Sequence, residues 1–505
     1  MKSSTPRCFD RLAVFAILVC SVPLLAQDTR YKLIDIGTLG GPIGYGSING
    51  GGTLSGYRLL NNSGSVVSFA DTPFPDPYQA FGCGNPDCNQ THAFLWKNGV
   101  MADLGTLPGN NNSAAGSINS HGWITGQSQR SVLDPSLGIP EFRAVLWRHG
   151  KITDLGTLPG GHEAIGIFVN DSDQVVGVSD NGIPDPFSVV IGFIPGTQIH
   201  TFLWDKGTMQ DIGTLGGPGA VPGADCGIAP PNLIVGGSYI SFSPNSWTGL
   251  PTLDPFIWRN GVLTDLGSLG GTFGIAQCIN RHGQIIGTSD LPGDLTNHAF
   301  FWQDGAMADL GTLGGSNSYA AWLNEAGDVV GGADLPDQTH HPVIWKSGEI
   351  TDLGTVANDP CGWAFSVNAR GQVVGGTSDC SNWLHAFLWE DGGPMRDLNT
   401  LVPPGSGFQL TYALDINDRG EILAKALPQG GNPFQDPDFY GNLVLLVPCD
   451  VQAGENCEAS LLPKSATVRM TRPAVGNATH YPNLYIRHGR TRIGLPRGLE
   501  FPLAK

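Results

Sequence analysis

Between Tyr31 and Pro448 the apolar residues come in short runs closed by glycine, asparagine or proline, and no stripe of helical period runs through them. Short apolar runs separated by turn residues predict strands. The runs recur in a fixed order. In one stretch HAFLW (92–96) is followed by the turn Lys97-Asn98-Gly99 and VMADLG (100–105). T-L-P-G then leads to SAAGSIN (113–119), the turn Ser120-His121-Gly122 and WITGQS (123–128). Asn-Gly between two apolar runs is a strong hairpin signal. The unit therefore reads strand, tight turn, strand, crossing, strand, tight turn, strand, and finally a loop of variable length.

Self-similarity at this period decides the architecture. The unit's tryptophan recurs as Trp96, Trp147, Trp204, Trp258, Trp302, Trp345 and Trp389. An aspartate opens the D-[LI]-[GN] motif at 35, 103, 154, 211, 265, 309, 352 and 397. An asparagine closes the small-residue strand at 49, 119, 170, 280, 324, 368 and 417, and one unit reads GIAPPN (227–232) instead.

The ends choose between an open stack and a closed ring. The array begins with a lone D-[LI]-[GN]-type strand, YKLIDIG (31–37), and finishes with NLVLLVP (442–448), which lacks one. A solenoid has no use for this permutation, whereas a propeller closes by it and loses its free edges. The expected fold is an all-β propeller of eight four-stranded blades, with strand 31–37 completing the last. Placing the T-L-G-G crossing between blades makes S-x-A-x-x-I-N the innermost strand, where small residues suit the crowded axis. HAFLW, apolar on consecutive positions, must be covered on both faces. Crossings and variable loops then share one end of the ring, the insertion face. The long insertions, at 59–91 and near 130–142, 181–199 and 239–253, crowd this face. It is the expected place for a ligand.

The repeated string H-A-F-L-W-x-x-G-x-M-x-D-L-G-T-L-G-G, followed by I-N-x-x-G-x-x-x-G, resembles the HAF-repeat family of extracellular bacterial repeat proteins across residues 31–448. The resemblance implies export and repetition, and it brings no reaction and no catalytic residue.

Composition agrees with strands and turns: 72 glycines, 37 prolines and only 14% charged residues in 505. The net charge of −17 makes nucleic acid an unfavourable partner. Lys2, Arg7 and Arg11 precede the apolar run 12–22, and Ala26 offers a cleavage site, so residues 1–26 read as a signal peptide. That run is too short to span a bilayer. Removing this segment leaves Cys83, Cys88, Cys226, Cys278, Cys361, Cys380, Cys449 and Cys457. An even set in an exported chain predicts disulfides. Sequence proximity suggests Cys83–Cys88 and Cys449–Cys457, a hairpin suggests Cys361–Cys380, and Cys226–Cys278 follows by elimination. Residues 449–505 depart from the repeat and read as a Cys-stapled, basic, flexible tail, with 27–448 as the propeller.

Catalytic sites are singular, whereas the repeated Asp, Asn and His occur in many copies. They are better read as turn caps and strand tethers. One joint pattern suggests more. The loop between second and third strands starts at Asp180, Asp290, Asp334 and Asp379 and ends at His200, His298, His341 and His385. An Asp–His hydrogen bond clamping each loop is the expectation, favoured over a metal ring because one Asp and one His per blade is a thin ligand set. Phe74, Tyr78 and Trp247 are candidate anchors for a partner. No G-x-S-x-G, H-E-x-x-H or P-loop is present, since His162-Glu163 continues Ala-Ile-Gly, and no cofactor or metal is implied. The sequence reading is a secreted, non-enzymatic propeller that binds an extracellular protein or glycan. The alternatives are a polysaccharide-acting enzyme of the same fold and a structural cell-surface protein.

Overall fold

The computed structural model describes residues 30–449 and 457, apart from 46–57, 77–88, 110–111, 136–137, 139, 189–195, 225, 230–231, 247, 391 and 431–440. The described strands form eight antiparallel sheets, seven of four strands and one of five, arranged as an eight-bladed β-propeller. Blade 5 shows the plan. Its inner strand Gly274–Ile279 pairs with Ile285–Asp290, which pairs with Asn297–Gln303, which pairs with the outer strand Ala306–Asp309. Arg30–Asp35 forms the outer strand of blade 8, in register with Asn442–Cys449 from Arg30↔Cys449 to Asp35↔Val444. The N-terminal strand thus completes the last blade, as the permuted ends require.

Each motif position has a packing reason. The inner strand slips register in blade after blade, between Ala115 and Ser117, Ala276 and Cys278, Ala320 and Trp322, and Ala364 and Ser366. A bulge of this kind bends the strand and sharpens its twist. The second-strand glycine sits against it, and a Cβ at Gly287, Gly331 or Gly375 would collide with the inner-strand carbonyl of Ile275, Tyr319 or Trp363. The HAFLW strand supplies the layer between blades. Phe94, Phe202, Phe256, Phe300 and Phe387 are fully buried, and Trp147 and Trp345 donate their indole N–H to Leu104 and Leu310 of the preceding blade.

The repeated asparagine stitches the inner circle. Its Oδ1 accepts backbone N–H groups of its own turn, as Asn324 does from Ala326 and Asp328, both at 2.9 Å. Its Nδ2 donates to the carbonyl of the corresponding asparagine in the next blade. The rungs run from Asn61 to Asn119 and from Asn119 to Asn170, then from Asn280 to Asn324, Asn368 and Asn417 in succession, and from Asn417 back to Asn61, all at 3.0–3.1 Å. Turn cap and strand tether are one side chain.

Blade 1 corrects part of the sequence expectation. Asn49 lies outside the described residues, and its rung position is filled by Asn61. Within the supposed insertion 59–91, Val66–Pro75 is the second strand itself. Two Asn-x-x-Gly strings, beginning at Asn49 and Asn61, follow each other in the sequence, and spacing alone does not rank them. Three of the four expected disulfides are present, Cys226–Cys278, Cys361–Cys380 and Cys449–Cys457. Cys83, Cys88, the signal segment and residues 458–505 lie outside the described residues.

Candidate functional site on the insertion face

The repeated acids and histidines hold strands together. Nδ1 of His92, His200, His298 and His341 lies 2.8–3.0 Å from the carboxylate of Asp103, Asp211, Asp309 and Asp352 on the adjoining outer strand. Each of these aspartates also accepts the N–H of the glycine two residues on, at 2.7–2.8 Å. Burial alone would raise the carboxyls of Asp211 and Asp352, but the histidine and glycine bonds outweigh it and hold both below the usual range.

The expected loop clamp is therefore corrected. His200, His298, His341 and His385 pair in register with Ser179, Ser289, Ala333 and Thr377, not with the aspartates. Adjacent strand residues point to opposite faces, which turns the carboxylates of Asp180, Asp290 and Asp334 away from the imidazoles, while Asp379 lies past the end of its strand, Val373–Ser378. Asp180 accepts the N–H groups of His162 and Glu163, Asp334 those of Asn317, and Asp379 those of Ser381 and Asn382. Burial pushes the Asp290 carboxyl up to about 7, helped by the nearby Asp294. His385 binds Asp359, which precedes its own blade's inner strand. Among the described residues no group of three or more His, Cys, Asp or Glu is placed to hold a metal ion.

The insertion face is unequal in its two halves. Second strands in blades 1–4 are long, Val66–Pro75, Ile124–Leu133, Val175–Pro184 and Leu233–Pro244, against six residues in each of blades 5, 6 and 7. Each long strand shifts register and then pairs again, at Pro75↔Asn89, Leu133↔Pro140, Pro184↔Thr197 and Pro244↔Pro251. Four hairpins thus extend from half of one face. They expose Phe74, Val132, Ile183, Ile240 and Phe242. Of the three aromatic candidates, Phe74 is exposed on a hairpin, whereas Tyr78 and Trp247 lie outside the described residues. The other half carries an aromatic cluster. Phe365 meets Trp383 at 5.4 Å, Trp383 meets Tyr412 at 5.5 Å, and Trp363 stacks on His340 at 4.8 Å.

Single-copy charged residues gather between blades 2 and 3, beneath the hairpins. The buried Glu141 is held by Arg130, by Arg143 at 3.0 Å and by His162 Nδ1 at 2.8 Å. Glu163, only 3% exposed, accepts the Phe142 N–H on Oε2, while its buried Oε1 has no partner. Burial pushes its carboxyl up to about 8, with Asp134, Asp180 and Glu141 adding to the rise. Burial thus favours the protonated form of Glu163. Glu163 belongs to no repeat position and to no motif; along the sequence His162-Glu163 is only an incomplete H-E-x-x-H.

No family model matches the sequence, and no curated protein is similar to it. Solved structures are similar in fold. A puromycin-hydrolysing peptidase of Mycobacterium tuberculosis aligns at TM-score 0.42 and 11% identity, over 79% of this chain and 62% of that one. The β-propeller domain of the Trilobed protease from Pyrococcus furiosus aligns at 0.40 and 12%, over 70% of this chain and all of that one. A gluconolactonase from Xanthomonas campestris aligns at 0.28 and 8%, covering 71% and 90%. The chain spans about 62% of the peptidase's length, and at these identities the likeness is one of fold and carries no activity.

Proposed function

We propose that this protein is an exported binding propeller that docks an extracellular protein or glycan against the hairpins of blades 1–4. One observation carries the reading: Phe74, Val132, Ile183, Ile240 and Phe242 are exposed on neighbouring hairpins of a single face, while the repeated polar residues are engaged in holding strands. Exposed apolar side chains grouped on one face mark interaction sites more often than scattered ones do. The hairpin bases are braced from within, since Asn112 Nδ2 bonds both Asp76 at 2.9 Å and Gln129 at 3.1 Å, and Glu141 is fixed by two arginines. Bracing lowers the ordering cost of binding. The disulfides fit an oxidising compartment. Among the described residues no helix is long and apolar enough to cross a membrane.

Probing the chain from residue 27 to 505 against a glycan array and a displayed peptide library tests this reading. A selective ligand lost on Phe74→Ser with Phe242→Ser supports it. Selective binding untouched by those changes, or none to either library, overturns it. A second reading, an enzyme acting on polysaccharide, is favoured by Glu163, a single-copy acid beside Glu141 whose protonated form burial favours. Hydrolysis of an arrayed glycan that Glu163→Gln abolishes would establish it.

A further inference from the structure

Six of the eight seams between blades carry an asparagine rung; the two seams of blade 4 carry none among the described residues. On one side Asn170 Nδ2 bonds Gln174 of its own turn at 3.0 Å, as its counterparts do, but makes no rung to blade 4 among the described residues. On the other, the blade has GIAPPN where its neighbours have an asparagine turn. Its inner strand is also broken, into Ala220–Pro222 and Ile228–Ala229. Its inner segment is tied covalently to blade 5 by the Cys226–Cys278 disulfide, flanked by Cys226 N–H donating to Gln277 O at 3.3 Å, Ile279 N–H to Cys226 O at 3.1 Å and Ala224 N–H to Gln277 Oε1 at 3.1 Å. Cys278, two residues before the blade 5 rung Asn280, is fully buried, whereas Cys226 is half-buried. The disulfide stands where the missing rung would be.

We propose that Cys226–Cys278 is a redox-operated rung: oxidised, it completes the inner circle, and reduced, it releases the inner segment of blade 4 while the other seven blades stay closed. The chemistry is dithiol–disulfide exchange. A thiolate of an external dithiol attacks the Cys226 sulfur, the S–S bond breaks and the Cys278 thiolate leaves and takes a proton. The second thiol of the reductant then displaces Cys226, so two electrons pass to the protein and the reductant becomes a disulfide. Reoxidation by a small-molecule disulfide runs the same steps in reverse. The other two bonds have different surroundings. Cys361–Cys380 ties an inner strand to the loop that follows its partner strand in one blade, where the strands already pair from Cys361↔Ser378 onward, and Cys449–Cys457 closes a separation of eight residues from the end of the last strand. Neither spans a seam.

The test is hydrogen exchange of the folded, full chain before and after dithiothreitol, with alkylation and peptide mapping to read which cysteines are reduced. The expected result is exchange about tenfold faster or more in peptides covering 220–238 and 274–280, with the inner strands of blades 6–8 unchanged and protection restored by oxidised glutathione. Cys226→Ser with Cys278→Ser should reproduce the reduced pattern without reductant, and Cys361→Ser with Cys380→Ser should leave 220–238 protected. Unchanged exchange after verified reduction overturns the proposal. So does loosening spread evenly over all blades, or a bond that resists reduction in the folded protein.

Discussion

Replacing Asn324 by alanine isolates what one rung contributes. The wild-type side chain makes four hydrogen bonds: Oδ1 accepts Ala326 and Asp328 N–H at 2.9 Å, and Nδ2 donates to Asp328 Oδ2 and Asn368 O at 3.1 Å. Asn368 O keeps one partner, the Gly371 N–H at 3.1 Å, so the variant strands no carbonyl completely. At about 0.5–1.5 kcal/mol net per bond, four bonds amount to about 2–6 kcal/mol, with the lower half favoured because Asp328 is half-buried and water can replace part of the set. Asn324→Asp is the sharper variant. It keeps the acceptor and both turn bonds, but sets a carboxylate against the Asn368 carbonyl and the Asp328 carboxylate, so it should cost at least as much as alanine. Urea unfolding, with native-state exchange to locate the loss, measures both. Exchange should quicken at the blade 6/7 seam and spare blades 1–3. A loss under about 1 kcal/mol for both variants, or Asn324→Asp matching the wild type, would refute the rung as an energetic element.

Other expectations follow from single contacts. Glu163 sits at about 8 in the fold, above the ordinary carboxylate value, so the native state binds the extra proton between about pH 4.5 and 8. Its contribution is most favourable below that window and is lost as pH rises through it; Glu163→Gln should flatten this slope and stabilise the protein at pH 8.5, read by urea melts across pH, and an unchanged slope would rule the residue out as its source. Trp345→Ala, at a site 1% exposed with its indole N–H on Leu310 O at 2.9 Å, should cost about 3–5 kcal/mol in chemical denaturation, and Trp345→Phe less. Gly331→Ala drives a methyl into the Tyr319 carbonyl and should cost about 1–3 kcal/mol or more in the same denaturation. His341→Ala should lower stability by only about 1 kcal/mol, because its Asp352 partner is more than a third exposed and keeps the Gly354 N–H.

The sequence by itself determined the repeat, the order of strands in each blade and the closure by strand 31–37, because each follows from local period and from which piece the last unit lacks. Copy number marks the repeated Asp, Asn and His as structural. Only the tertiary structure decided partners. His341 faces Asp352 and not Asp334 because pairing register, offset by one residue, sends neighbouring side chains to opposite faces. Asn61 takes the rung of blade 1, donating to Asn119 O and accepting from Asn417, a position the repeat spacing had given to Asn49. Glu141 and Glu163 come from different blades, 22 residues apart in the chain, and share one buried seam that no spacing encodes. Local chemistry repeats, and so it can be read along the chain; the seams between blades join residues with no fixed separation, and only the closed ring brings them together.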